Sequence, residues 1–167
     1  MKLFSANIED LRTLYIDSLQ KALDMEQKIT KALPTMVEKA SDPDLSTAFN
    51  NHLEQTRGHV AKVESILRNA SGDAKTTTCK VIGGLTTEAE DNIKDAKDPG
   101  IRDISLIASA QQVEHHEMAV YGTLRTWAQI LGRREDVVML ESILREEKQA
   151  DELLSSIADR VNLQKAA

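Results

Sequence analysis

The helical architecture is clearest in residues 110–151, which read AQQVEHHEMAVYGTLRTWAQILGRREDVVMLESILREEKQAD. On both sides of Gly132 the apolar residues recur at intervals of three and four, which is the pattern of an amphipathic helix. Glycine suits the left-handed position that ends many helices. This stretch therefore predicts two long antiparallel helices joined by a short turn at Gly132.

The same spacing continues along the rest of the chain and is interrupted only where proline and glycine cluster. Asp42-Pro43 and Asp98-Pro99 each precede a long periodic run. Such pairs favour a helix start, because aspartate accepts free backbone N–H groups and proline loses no hydrogen bond at the first position. Gly72 suits a helix end. The predicted helical segments are residues 6–40 with a kink at Pro34, 43–70, 76–97, 101–131 and 133–163.

Four of these segments are long and one, the third, is short. Short connections make segments one and two a hairpin, and segments four and five a second hairpin. Two hairpins joined by a crossover that carries a shorter helix describe a four-helix bundle with one long connection. No alternating pattern of useful length indicates a strand. We expect an all-α four-helix bundle with an extra shorter helix in the crossover, which forms a single domain over residues 1–167.

Composition excludes several classes of protein. The chain has 167 residues, of which 41% are apolar, a typical fraction for a globular domain. No apolar run approaches the ~20 residues of a membrane-spanning helix, and the N-terminus turns acidic before a signal peptide can form. Cys79 is the single cysteine, and the net charge is −6. We therefore expect a cytoplasmic protein that binds neither nucleic acid nor membranes.

Five carboxylates lie on the apolar faces of the predicted helices. Glu26 falls within the apolar stripe of the first segment, Glu114 and Glu117 within that of the fourth, and Glu147 and Asp151 within that of the fifth. A buried carboxylate is costly unless it is protonated, paired or bound to a metal. Lysine and arginine are almost absent from these inward faces. The pattern therefore indicates a metal site.

The heights of these residues along the bundle also agree. Glu117 precedes Gly132 by 15 residues and Glu147 follows it by 15, so their side chains should face each other across the hairpin. Glu26 lies 16 residues before Asp42, which places its partner on segment two near residue 58. His59 is the ligand-type residue at that level. Oxygen ligands with one imidazole favour two iron or manganese ions over magnesium or calcium, and leave zinc open. The predicted ligands are Glu26, His59, Glu114, Glu117, Glu147 and Asp151.

Several other readings of these residues stay open. The acids could form a polar or ionic core network that contains no metal. His52 lies on the same helix edge as His59 but about two turns from the expected cluster, so we interpret it as structural. Glu54 points towards solvent and is a reserve ligand. Glu88 faces the same way as Val81 and Leu85 on the crossover helix and could approach the site.

The chain resembles the YciF-like bacterial stress proteins of the ferritin-like superfamily. The resemblance is spread through all five segments and rests on Met25-Glu26-Gln27, His52-Leu53-Glu54-Gln55-Thr56, Cys79 with Gly84-Leu85 and Glu88, residues 114–124 (EHHEMAVYGTL), Glu146-Glu147-Lys148, and Ala150-Asp151. It implies a ferritin-like bundle, a homodimer and a dinuclear metal site. It implies no particular reaction.

One departure from the ferritin-like pattern bears on the function. Di-iron relatives place Glu-x-x-His on two helices, whereas the residues three positions after Glu54, Glu114 and Glu147 are Arg57, Glu117 and Ala150. A site rich in carboxylates favours exchangeable metal binding. The leading hypothesis is a stress-associated protein with iron in the bundle, which oxidises Fe(II) or consumes peroxide. The alternatives are a structural or interaction module and an enzyme of manganese-catalase type.

Overall fold

The computed structural model describes residues 8–166 and contains five helices. No strand occurs among these residues, so the predicted all-α class is confirmed. None of the helices in this range combines the length and the apolar character needed to cross a bilayer. The helices are α1 (Leu11–Lys39), α2 (Pro43–Ser71), α3 (Lys80–Asp95), α4 (Pro99–Ile130) and α5 (Arg134–Ala166).

The helices pack as two hairpins. α1 packs along α2, and α4 packs along α5, through the most extensive contacts in the molecule. The hairpins join where α2 meets α5 and where α1 meets α4, which closes a four-helix bundle. The shorter α3 lies outside this bundle against α4 and α1. The predicted order of hairpin, crossover helix and hairpin is therefore present.

The residues that limit the helices act as their chemistry predicts. The side chains of Asp42 and Asp98 accept backbone N–H groups in the first turns of α2 and α4. Gly72 ends α2 with a φ of 86°, and Gly132 in the turn between α4 and α5 has a φ of 71°. These left-handed values favour glycine, because a Cβ would approach the following carbonyl oxygen. Asp42 lies in the short turn between α1 and α2, and Gly132 lies in the short turn between α4 and α5, whereas Gly72 and Asp98 limit the helices on either side of the crossover.

The first predicted segment needs a correction. It was expected to begin at residue 6, but residues 6 and 7 lie outside the described part of the chain, and α1 begins at Leu11. Ile8, which the apolar pattern included, is exposed and precedes the helix. Asp10 caps α1 by accepting the N–H of Thr13 at 2.7 Å. The capping aspartate therefore determines where the helix begins.

The crossover helix also begins later than predicted, at Lys80 rather than residue 76. The preceding residues bond to α1: Thr77 donates its N–H to the carbonyl of Gln20 at 3.2 Å, and the N–H of Cys79 donates to Asp24 at 2.8 Å. α3 also turns a different face inward than expected. Val81 is 54% exposed, whereas the neighbouring Ile82 is fully buried.

Candidate metal centre

Four helices of the bundle bring six ligand-type side chains into the core. Each helix buries an apolar stripe, and the polar residues in that stripe are carried inward with it. All six are buried, and Glu26, His59, Glu117 and Glu147 are completely so. The six are Glu26 on α1, His52 and His59 on α2, Glu114 and Glu117 on α4, and Glu147 on α5.

These side chains form two groups that share one residue. The first group contains His52, Glu114, Glu117 and Glu147, and the second contains Glu26, His59 and Glu147. Within each group one ligand atom of every member lies within 4.8 Å of the others. Glu147 belongs to both groups and has two carboxylate oxygens to offer. The arrangement therefore has the layout of two adjacent metal sites joined by one carboxylate.

The histidines lie at opposite ends of this cluster. His59 Nδ1 is 2.9 Å from Glu147 Oε1 and 3.7 Å from Glu26 Oε2. His52 Nε2 is 3.3 Å from Glu114 Oε1 and 3.8 Å from Glu147 Oε2. Each imidazole thus points one nitrogen towards the carboxylates, and Glu147 lies between the two rings.

Many buried polar atoms of the cluster have no hydrogen-bond partner. Within residues 8–166, both carboxylate oxygens of Glu117 are in this state, as are Oε2 of Glu147 and one oxygen each of Glu26 and Glu114. No lysine or arginine within residues 8–166 forms an ion pair with these four acids; their only basic contacts are His52 and His59. Buried polar groups normally find partners. The donor set, oxygens with two imidazoles, fits iron or manganese.

The protonation of the acids follows from the same crowding. Burial and the neighbouring Glu147 carboxylate raise the pKa values of Glu114 and Glu117 well above the usual range. Burial also raises the pKa of Glu26, although the nearby His59 opposes this effect. In the absence of a cation, protons on these carboxyl groups reduce the repulsion. A metal ion that binds here must displace them.

The two imidazoles respond in opposite directions. Burial lowers the pKa of His52, so this ring stays neutral and can act as a ligand. Burial would also lower the pKa of His59, but the adjacent carboxylates of Glu147 and Glu26 overcome it and raise the value to about 10. His59 therefore carries the positive charge that partly balances the metal-free cluster.

Two residues outside the groups hold the ligands in place. Glu146 lies 2.8 Å from Nε2 of His59, and it also accepts hydrogen bonds from Lys62 at 3.1 Å and Ser142 at 3.0 Å. This contact turns Nδ1 of the ring towards the cluster. The hydroxyl of Tyr121 donates a hydrogen bond to Glu26. Each contact fixes the orientation of one ligand.

The structure brings together five of the six residues predicted as ligands, namely Glu26, His59, Glu114, Glu117 and Glu147. It does not bring Asp151 into either group. The side chain of Asp151 is 19% exposed, and its Oδ1 lies 3.4 Å from Nδ1 of the exposed His115.

The expectation that His52 lies apart from the cluster is wrong. The cluster extends along the bundle axis, so that His59 and His52, two helical turns apart, border its two ends. Counting residues from the turn at Asp42 predicted only which residue of α2 lies at the height of Glu26. Glu114 lies nearer the end of the bundle that contains this turn. The residue of α2 at the height of Glu114 is His52.

The remaining candidates lie at the surface. Glu54 is exposed, as predicted, and it pairs with Arg57 on the same helix. Glu88 is exposed and belongs to neither group. Glu146 was missed, because the sequence from 141 to 148 has the mixed charge typical of a solvated face. Its partner His59 comes from a distant part of the chain, and no local signal marks it.

Comparison with known proteins identifies the family. The model of a family described as a domain of unknown function, DUF892, matches residues 10–167. The chain belongs to this family. Protein YciF of Escherichia coli strain K12 is 35% identical over 153 residues, which is 91% of this chain and 92% of YciF. The match supports the resemblance noted in the sequence.

Solved structures of similar proteins have the same fold. The crystal structure of the E. coli stress protein YciF matches with a TM-score of 0.88 at 34% identity, covering 92% of this chain and 97% of YciF. YcfI of Rhodopseudomonas palustris matches with a TM-score of 0.88 at 36% identity, covering 92% and 98%.

A more distant structure places the fold in a wider class. It is described as a ferritin-like, diiron-carboxylate protein of Bacillus anthracis strain Ames, and it matches with a TM-score of 0.71 at 19% identity over 90% of this chain and 99% of its own. At this identity the likeness concerns the fold alone. The bundle of this DUF892 member is therefore ferritin-like.

Proposed function

We propose that this protein is a bacterial stress-associated protein that binds two iron ions in the core of its bundle. Glu26, His59 and Glu147 would hold one ion, and His52, Glu114, Glu117 and Glu147 the other. The observation that carries the proposal is that two buried ligand groups share Glu147, and that both oxygens of the completely buried Glu117 have no hydrogen-bond partner among residues 8–166. A polar core that worked without a metal would be expected to pair these atoms within the protein.

The chemistry of the ligands favours a redox-active metal. Carboxylates dominate both groups, and hard oxygen ligands with imidazole suit Fe(II), Fe(III) and Mn(II). Bound iron would supply the Fe(II)/Fe(III) couple that oxidation of ferrous iron or consumption of peroxide requires. The protein's own part is to hold the ligands in a dry core, to keep His52 neutral through burial and to orient His59 through Glu146.

Metal analysis after controlled loading tests the proposal. Metal-free protein is loaded anaerobically with Fe(II), or in parallel with Mn(II) or Zn(II), then desalted and measured by elemental analysis. We expect close to two Fe per chain. Retention below ~0.2 metal per chain for every ion would contradict the proposal and favour a structural or interaction module. Retention of Mn(II) with little Fe would favour an enzyme of manganese-catalase type.

The reaction is tested with the same samples. We expect the iron-loaded protein to consume peroxide or to oxidise added Fe(II) faster than the metal-free protein does. Peroxide turnover confined to the manganese-loaded protein would reassign the activity. Two further parts of the proposal are a homodimeric assembly and a cytoplasmic location. Light scattering of the purified protein tests the first, and cell fractionation tests the second.

A further inference from the structure

A large cavity lies beside the candidate metal centre and is lined by residues of all five helices. Its volume is about 750 Å³, which is in the range of small-molecule sites. Along α1 its lining runs from Lys28 to Lys39, or about 16 Å at the rise of a helix. The cavity is therefore long enough along α1 to hold an extended alkyl chain. Its inner walls are mainly apolar and include Ile29, Leu33, Met36, Phe49, Val113 and Leu154.

The edge of the cavity between α1 and α3 is basic. Four lysines line it there, although the whole chain has a net charge of −6. Lys28 pairs with Asp24, Lys39 with Glu38 and Lys94 with Asp91, whereas the exposed Lys31 forms no ion pair with any of residues 8–166. Glu90 is the only acid lining this edge. A ligand with an anionic group would be attracted to it. The four lysines are Lys28, Lys31, Lys39 and Lys94.

The other parts of the lining differ from this edge. Between α2 and α5 the polar lining consists of the uncharged amides Asn51, Gln55 and Gln149. Deeper inside, the cavity reaches His52 and Glu114, which belong to the first ligand group. The cavity thus has a basic edge, an apolar interior and an inner wall formed by the candidate metal centre.

We propose that this cavity binds a free fatty acid. Its carboxylate would lie at the basic edge near Lys31 and Lys94, and its unbranched chain would follow the apolar wall towards His52 and Glu114. The apolar walls suit an alkyl chain, and the lysines favour an anionic head group over a cationic one. The binding requires no metal, because the residues that would contact the ligand's head and most of its chain lie outside the ligand groups.

Calorimetric titration of the metal-free protein with dodecanoate tests this proposal. We expect one dodecanoate per chain, and at least about tenfold weaker binding of dodecyltrimethylammonium, which has a chain of the same length and a cationic head. Absence of dodecanoate binding overturns the proposal. Equal binding of the two compounds also overturns it, because the lysines would then play no part.

Substitutions in the cavity locate the binding. Ala32 on α1 and Ala89 on α3 line the cavity and lie outside the ligand groups. Ala32→Leu and Ala89→Leu should each weaken dodecanoate binding about tenfold, since the added atoms occupy the space of the chain. Ala61→Leu on the exposed face of α2 is the control and should leave binding unchanged. Wild-type affinity in both cavity variants would contradict the proposal.

Charge reversal tests the head group. Lys31→Glu should weaken dodecanoate binding about fivefold or more, whereas Lys80→Glu makes the same change on an exposed residue outside the lining and should have no effect. Equal effects of both variants would show that only the net charge matters. Metal content is measured in the same samples. Metal uptake without dodecanoate binding defeats this inference alone, and dodecanoate binding without metal uptake defeats only the iron proposal.

Discussion

Glu147 is the side chain on which both ligand groups depend. It is completely buried, lies between the two histidines, and offers one oxygen towards each. If Glu147 is buried because it binds a cation, then removing the charge of Glu147 should abolish metal binding and reduce the electrostatic repulsion in the metal-free core. The free energy of a buried charge without a full set of partners is unfavourable, so the loss of this charge need not destabilise the fold.

We therefore expect Glu147→Gln to lower the retained iron from about two per chain to well below one, because both ions lose a carboxylate ligand. Glu152→Gln is the matched control: it makes the same change on an exposed residue of the same helix. Elemental analysis after anaerobic loading gives the readout. Metal content equal to that of the wild type in Glu147→Gln would rule out the shared carboxylate.

A second buried network lies outside the cluster and serves the fold alone. The hydroxyl of Tyr15 donates to Asp136 Oδ2 at 3.0 Å, which ties α1 to the start of α5, and Arg133 pairs with the same carboxylate. Burial and the negative charge of Asp136 raise the pKa of Tyr15. Tyr15→Phe should lower the free energy of unfolding by about 1 kcal/mol in urea titrations. Iron content should stay unchanged, and a variant as stable as the wild type would contradict this prediction.

At the scale of the helix, the start of α2 combines a cap with an ion pair. The carboxylate of Asp42 accepts N–H groups of α2 and two hydrogen bonds from the Arg160 guanidinium, at 2.6 and 3.0 Å. The hydrogen bonds from Arg160 hold the pKa of Asp42 below its ordinary value of 3.8. The unfolded state therefore binds this proton more tightly. The stabilisation is complete above the unfolded pKa and is lost as the pH falls through the lower folded pKa.

Asp42→Asn keeps a good cap but removes the charge. At about pH 6 the variant should be less stable than the wild type by at most about 1 kcal/mol, since the pair is partly exposed. The difference should shrink as the pH falls to about 3, because the wild-type carboxylate is then increasingly protonated. Urea titrations of the metal-free proteins at the two pH values measure it. A difference that grows on acidification would reverse the assigned sign.

Substitution of glycines tests how α2 ends, independently of the cap at its start. Gly72 has a φ of 86°, so Gly72→Ala should destabilise the protein by about 1–2 kcal/mol. Gly122 lies inside α4, and a Cβ there meets nothing within 4 Å. Gly122→Ala should therefore be neutral or stabilise by up to about 1 kcal/mol. Opposite shifts of the thermal midpoint are expected, and equal shifts would contradict the role of Gly72 at the helix end.

At the scale of the molecule, the features that the sequence predicts are those that follow from helical periodicity and from short turns. The helical period predicts that Glu26, Glu117 and Glu147 face the core. Counting residues from Gly132 predicts that Glu117 and Glu147 lie at the same height in the bundle. The features that the sequence did not predict depend on contacts between distant segments of the chain. His52 was missed because one turn fixes only one level of a cluster that spans two helical turns.

The same limit explains the errors at α3. The predicted segment included residues 76–79, yet these residues precede α3, and Thr77 and Cys79 bond to α1. The low helix propensity of Thr-Thr-Thr-Cys agrees with the later start of α3, but the hydrogen bonds to α1 are not visible in one sequence. The contact between Glu146 and His59 was missed for the same reason. It forms only where α2 packs against α5, and the sequence around Glu146 has the mixed charge of a solvated face.

The candidate ligands come from α1, α2, α4 and α5, so bound metal should stabilise the whole bundle. A ligand that binds only the folded state at 100 times its dissociation constant adds about 2.7 kcal/mol, which for a chain of this size raises the thermal midpoint by about 5–10 °C. We expect this rise on adding Mn(II) or anaerobic Fe(II), measured by circular dichroism, and its reversal by a chelator. Glu147→Gln should show little of it, whereas Glu152→Gln should respond like the wild type. An equal rise in Glu147→Gln would mean that the metal acts elsewhere on the protein, because that variant lacks the charge that both ligand groups share.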